Sequence, residues 1–176
     1  MTLWRRLGGD QRGAAAVEFA ILAPVMIGLY FGLVETSEAV LAERKADHAA
    51  SAIGDLVAQS SGTVSSSDLA DIVAIGQTIL SPYSSTGMQV RISSLTPNSA
   101  GAPAVTWSYG SGMTKLSAGT TKTIPITIAA GDSVIYSELK YTFNSPVKFV
   151  LPNALTFNEA YYLRPRQTSQ ITCTDC

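Results

Sequence analysis

Arg12-Gly13-Ala14-Ala15-Ala16-Val17-Glu18-Phe19 opens an apolar run that continues to Val34. From Ala14 to Val34 the run has 21 residues and one charge, Glu18. At a helical rise of about 1.5 Å per residue it spans roughly 31 Å, the thickness of a bilayer's hydrocarbon core. This predicts a membrane-crossing helix over 14–34. Pro24 inside the run is compatible with that, because a lost backbone bond is tolerated in membrane helices. Arg5, Arg6 and Arg12 precede the run, whereas Glu35, Glu38 and Glu43 follow it before Arg44 and Lys45. The basic flank places the N-terminus in the cytoplasm and the remainder outside.

Beyond this stretch, a chain of 176 residues with its first third in one helix leaves material for one small head. Charged residues make up 14% of the chain and the net charge is −1, with no basic stripe interleaved with aromatics. Nucleic acid is therefore not an expected partner. One histidine and two cysteines give little material for a metal or a cofactor, and none is expected. There is no glycine-rich phosphate loop and no G-x-S-x-G elbow. The carboxylates Asp68, Asp71, Glu138 and Glu159 form no recognisable acid/base pair by spacing. The expectation is a protein that is not an enzyme, with no small-molecule substrate.

The N-terminus admits three readings. It is an uncleaved anchor, a secretory signal ending near Val40-Leu41-Ala42, or a leader cleaved on the cytoplasmic side after Gly13. The length of the apolar run and the charges from Glu35 to Glu38 argue against the signal peptide. The segment from Arg12 to Phe19 resembles the start of the TadE/TadG-like proteins of the tight-adherence (Flp) pilus system. In that family a basic leader ends in glycine, and an Ala/Val-rich helix follows with glutamate fifth and an aromatic sixth. Glu18 is fifth after Gly13 and Phe19 sixth. Ala20-Ile21-Leu22-Ala23-Pro24-Val25 fits the same pattern. The resemblance covers residues 10–60 and, more weakly, Tyr141-Thr142-Phe143 and Arg164-Pro165.

The resemblance implies a minor pilin or pseudopilin of the bacterial inner membrane, N-terminus cytoplasmic and head periplasmic, open to incorporation into an extracellular pilus. Its implied partners are the membrane, a prepilin peptidase cutting between Gly13 and Ala14, other pilins and the assembly machinery. It further implies that Glu18, with Phe19 beside it, answers the N-terminal amine of a neighbouring subunit. Glu18 lies about 6 Å into the run, where a carboxylate is costly unless it snorkels or pairs. Cleavage would create an Ala14 amine that is largely protonated near neutral pH. The bland reading keeps the Glu18 head in interfacial water with no partner. The alternative for the whole chain is an uncleaved single-pass envelope protein whose head is a binding module.

Past Val34 the pattern stays helical to about Ser60, with Val34, Leu41, Ala49, Ile53, Leu56 and Val57 on one stripe. His48 lies in this stalk without a second histidine to share a metal. Ser66 or Ser67 caps a second helix, Asp68 to about Leu80, which Ser81-Pro82 ends. Strands are expected over Met88–Leu95, Val105–Tyr109, Val134–Phe143 and Phe157–Arg164. Pro125 makes 115–128 an edge strand or a loop. Phe149-Val150-Leu151-Pro152 is an apolar loop, expected to fold under the sheet, with an exposed contact lip as the alternative. Cys173-Thr174-Asp175-Cys176 admits half a zinc knuckle, a redox pair, or a disulfide within or between chains; an oxidising compartment favours an intrachain disulfide.

The predicted class is α+β. A transmembrane helix continues into a stalk helix, followed by a second helix and a small antiparallel sheet, in the lollipop shape of pilins. The divisions are a basic leader at 1–13, the membrane helix at 14–34, the stalk at 35–60 and the head at 61–176.

Overall fold

The computed structural model describes residues 13–176. Arg5, Arg6, Arg12 and nearly all of the expected leader lie outside the described residues. The apolar run and the stalk form one helix, α1, Ala14–Ala58, which passes through Pro24 and ends with the Gln59 N–H on the carbonyls of Asp55 and Val57. Only its second half enters the core. The buried face there is Ala39, Ala42, Ala46, Ala49, Ala50, Ile53, Gly54 and Val57, at helical spacing. Leu41, expected on this stripe, is half exposed instead. Small residues take the buried positions because the helix lies close against the sheet. A Cβ on Gly54 would stand 2.5 Å from Leu163 Cδ1 and 3.0 Å from Ser137 Cβ.

A two-residue strand, β1 (Thr63–Val64), precedes the second helix, α2 (Ser66–Ile79). The cap of α2 is Ser65, one or two residues before the serines expected. Its hydroxyl accepts the Asp68 N–H, and the Asp68 carboxylate accepts the Ser65 N–H, which closes a capping box. Leu69, Val73 and Gly76 turn α2 onto α1, and Gly76 rests on the Ile53 side chain.

Four strands follow: β2 (Met88–Pro97), β3 (Pro103–Ser111), β4 (Val134–Phe143) and β5 (Leu155–Leu163). They form an antiparallel sheet in the order β3-β2-β4-β5. Alternation directs Val90 and Ile92 of β2, and Ile135, Leu139, Tyr141 and Phe143 of β4, into the core shared with the helices. On the same face Ser137 donates to the Ala50 carbonyl of α1 at 2.9 Å.

The opposite face is covered as well. Leu95, Val105 and Tyr136 pack under Leu116, Ile124 and Ile128 from the long connection between β3 and β4. Pro125 keeps that connection from pairing along its length, and a bridge from Ala104 to Thr121 ties it to β3. A last short strand, β6 (Thr172–Cys173), pairs in parallel with β1. The buried Trp107 indole donates to the Ile171 carbonyl just before it, at 2.7 Å.

Candidate functional site

The first half of α1 is bare over most of its surface. Glu18 is exposed, and Phe19 is 73% exposed. Val17, Ile21, Leu22, Met26, Leu29 and Leu33 also face outward on all sides. A stretch of 18 residues in this half is long and apolar enough to cross a membrane, and none of it is buried. Burying each large apolar side chain gains about 1.5–3 kcal/mol over leaving it in water, so this surface favours an apolar covering. Gly13, Ala14, Glu18 and Phe19 come together within the first turns of the helix. Among the described residues, a Cβ on Gly13 would meet nothing within 4 Å, and the helix start has neither a side-chain cap nor an acid in its first turn. Its first N–H groups therefore form a positive dipole end that none of these residues answers.

At the junction of bare and packed helix stands Glu35, a buried carboxylate. Its Oε1 accepts the Ser145 hydroxyl at 2.6 Å and the Phe149 N–H at 2.8 Å. Its Oε2 accepts the N–H groups of Val150 at 2.5 Å and Leu151 at 3.0 Å. Four donors meet the four lone-pair directions a carboxylate offers. Burial works against the charge, but the Ser145 hydroxyl and the N–H groups of Leu151, Val150 and Phe149 outweigh it, and the carboxyl is held at about 2 against an ordinary 4.5.

The loop so held does not fold under the sheet as expected. Its backbone faces Glu35, Leu151 packs against the core, and Phe149 and Val150 lie along the helix. A Cβ on Gly28 would be 3.5 Å from the Phe149 ring, and one on Gly32 would be 3.1 Å from Val150 Cγ2. Two glycines four residues apart leave a groove on the helix, a pattern that in membrane helices admits a second helix. Here the chain's own loop occupies it. Val147, Phe149 and Val150 remain 44%, 61% and 50% exposed on their outer sides. Between them Lys148 adopts φ 57°, a left-handed backbone unusual for a residue with a side chain.

Further along, polar contacts bind stalk to head. The Tyr161 hydroxyl donates to Asp47, which, with burial, pushes the phenol up to about 12. Arg166 pairs with Asp55 and donates its N–H to the Ala58 carbonyl at the helix end. On the outer sheet face Arg91 grips Glu138 through both oxygens, at 2.5 and 2.7 Å.

Cys173 and Cys176 are joined to each other. Asp175, inside that small loop, accepts the Ser66 N–H at 2.7 Å and the Ser66 hydroxyl at 2.5 Å at the start of α2. The two sulfurs and the Asp175 carboxylate lie within 4.8 Å of one another, but bonded sulfurs are not thiolate ligands. This motif packs at the far side of the head and is not brought to Glu18. His48 is exposed on the stalk. A surface depression of about 650 Å³ beside the 121–128 segment has, among the described residues, Lys122 as its one titratable lining residue.

Glu35 is the residue that sequence reasoning passes over, as one flanking charge among several. The available signal is the Gly28/Gly32 spacing just before it, read together with the apolar 147–151 segment behind the Asn144-Ser145-Pro146 turn.

Residues 13–54 match the family model TadE, described as TadE-like protein. No curated protein and no solved structure matches the chain. The match begins at Gly13, takes in the bare half of α1, Glu35 and most of the packed half, and stops short of the sheet. Over these residues, then, the chain is similar to that family.

Proposed function

We propose that this chain, TadE-like from Gly13 to Gly54, is a minor pilin or pseudopilin that takes part in assembling a tight-adherence pilus. The observation that carries the reading is the unbroken helix whose first half is bare and apolar while its second half is built into a folded head. Such a helix has to be covered by lipid before assembly and by other helices after it. The role is structural rather than catalytic.

In this reading residues 1–13 are a cytoplasmic leader, 14–34 cross the inner membrane, and the stalk and head stand in the periplasm. A prepilin peptidase cuts between Gly13 and Ala14, where the exposed glycine puts no side chain in the way. The new Ala14 amine, reinforced by the open helix dipole, meets the Glu18 carboxylate of a neighbouring subunit. Pairing the two neutralises charges that are expensive at membrane depth and sets the axial stagger between helices.

The test is the intact mass and N-terminal residue of protein extracted from its native membrane. Ala14 is the expected first residue, and Gly13→Phe is expected to retain the leader. Met1 at the terminus of the wild-type protein overturns processing and leaves the uncleaved anchor. Glu18→Gln is expected to insert normally yet lose co-purification with other pilins; unaltered co-purification removes the pairing role.

A further inference from the structure

We propose that the loop from Val147 to Val150 is a second membrane contact, a lip that lies in the outer edge of the bilayer flush against the helix. The inference rests on Ala14–Val34 spanning the membrane, and it follows from where the loop touches that span. Phe149 packs at Gly28 and Val150 at Gly32, both inside the apolar run. Gly28 is six residues before Val34, or about 9 Å below the outer end of the run. When the run is in the bilayer, the outward side of the Phe149 ring is therefore at hydrocarbon depth. Phe149 and Val150 are half or more exposed while seated on this span, and Val147 beside them is exposed too, so their free surface adjoins the bare apolar surface of the helix. The occupant is thus lipid, the same medium that covers the run.

An irregular loop at that depth is excluded unless its backbone polar groups are satisfied within the protein. Glu35 does this for the N–H groups of Phe149, Val150 and Leu151, and Ser145 Oγ takes the Lys148 N–H at 3.3 Å. Every N–H from Lys148 to Leu151 is thereby engaged. The cradle accounts for a buried carboxylate at the membrane border that no catalytic or ionic role requires. Lys148 is exposed, and its long stem suits an ammonium carried up to lipid headgroups. The lip fixes the depth at which the span stops and prevents the head from tilting about the helix.

The test uses the full chain reconstituted in phosphatidylcholine/phosphatidylglycerol vesicles carrying bromines either shallow or deep in the acyl chains. Phe149→Trp and, as an independent position, Val147→Trp are compared with Leu22→Trp near the middle of the run. Emission added over wild type, which has Trp4 and Trp107, is read. The expected result is loss of the added emission to bromines at all three positions, with the ratio of shallow to deep quenching higher at 149 and 147 than at 22. If 22 is quenched while 149 and 147 are not, the lip proposal is overturned and the membrane span stands. If none is quenched, the span itself fails. Quenching at 22 together with photocrosslinking from a benzoylphenylalanine at 149 to a second copy of the chain assigns the surface to a neighbouring subunit and likewise overturns the proposal.

Discussion

The Glu35 carboxylate accepts the hydroxyl of Ser145, 110 residues away in sequence, at 2.6 Å. That bond joins the exit of the bare helix to the turn after β4, and three loop N–H groups complete the set. The folded carboxyl sits at about 2 and the unfolded one near 4.5. A depressed carboxylate contributes stability that is fully present above the unfolded value and lost as pH falls through the folded one. Asp68 and Asp175, also held below their ordinary range by Ser65 and Ser66, act in the same direction. On the acid side, stability is therefore expected to fall between about pH 4.5 and 2, with these carboxylates contributing fully from about pH 5 upward.

Glu35→Gln is expected to lower the Tm at neutral pH, because an amide nitrogen would face N–H donors, and to flatten the acid slope. Hydrogen exchange at Phe149, Val150 and Leu151 is expected to rise in the variant. An unchanged acid slope together with unchanged exchange would show that Glu35 does not hold the loop.

The reach of sequence reasoning follows the physics of each segment. The helix from Ala14 and the strand Val134–Phe143 are legible because periodicity and length are local properties. The stripe on the stalk fails at Leu41, since hydrophobicity ranks leucine above alanine while close packing on the sheet selects Ala42, Ala46, Ala49 and Gly54. The β1/β6 pair and the Glu35 cradle join residues more than a hundred positions apart, and no local pattern encodes them. The C-x-x-C leaves several chemistries open because spacing alone does not say which sulfur partners which.

Gly76 and Ile53 mark the crossing of α2 over α1. A Cβ at 76 would fall 2.4 Å from Ile53 Cδ1 and 2.7 Å from its Cγ1, and Ile53 is fully buried. Gly76→Ala gains about 1 kcal/mol of helix propensity, but overpacking a rigid core costs about 1–3 kcal/mol. The expected net effect is a loss of about 1 kcal/mol in urea unfolding. Ile53→Val in the same background is expected to recover part of it, with a coupling of at least about 0.5 kcal/mol in the double-mutant cycle. Simple additivity would place the strain elsewhere.

Glu159 on β5 faces Asp47 and Glu43 across the stalk. Partial burial and these two carboxylates raise its carboxyl above the ordinary range. A raised acid favours the folded state only when protonated, so at neutral pH its charge works against folding. Glu159→Gln is expected to stabilise the protein at pH 7 by a few tenths of a kcal/mol, about the scale of partly solvated charge pairs. The gain is expected to shrink as pH falls through the carboxylate range and to weaken in high salt. A gain that is independent of both would point to packing rather than charge.

Cys173 and Cys176 close a loop of only a few residues, so the chain-entropy argument allows their bond at most about 2 kcal/mol. Its larger effect is local. The loop presents Asp175 to the first N–H of α2, beside the Ser65–Asp68 capping box. Reduction, or the paired change Cys173→Ser and Cys176→Ser, is expected to lower the Tm modestly while leaving the sheet's amide protection intact. Protection is expected to fall at Ser66 and in the first turn of α2. Asp175→Asn, which keeps the disulfide but weakens the charge on Ser66, is expected to reproduce the local loss without the full drop in Tm. If the serine pair unfolds the head outright, the bond supports the core through β6 and Trp107, and the local account gives way.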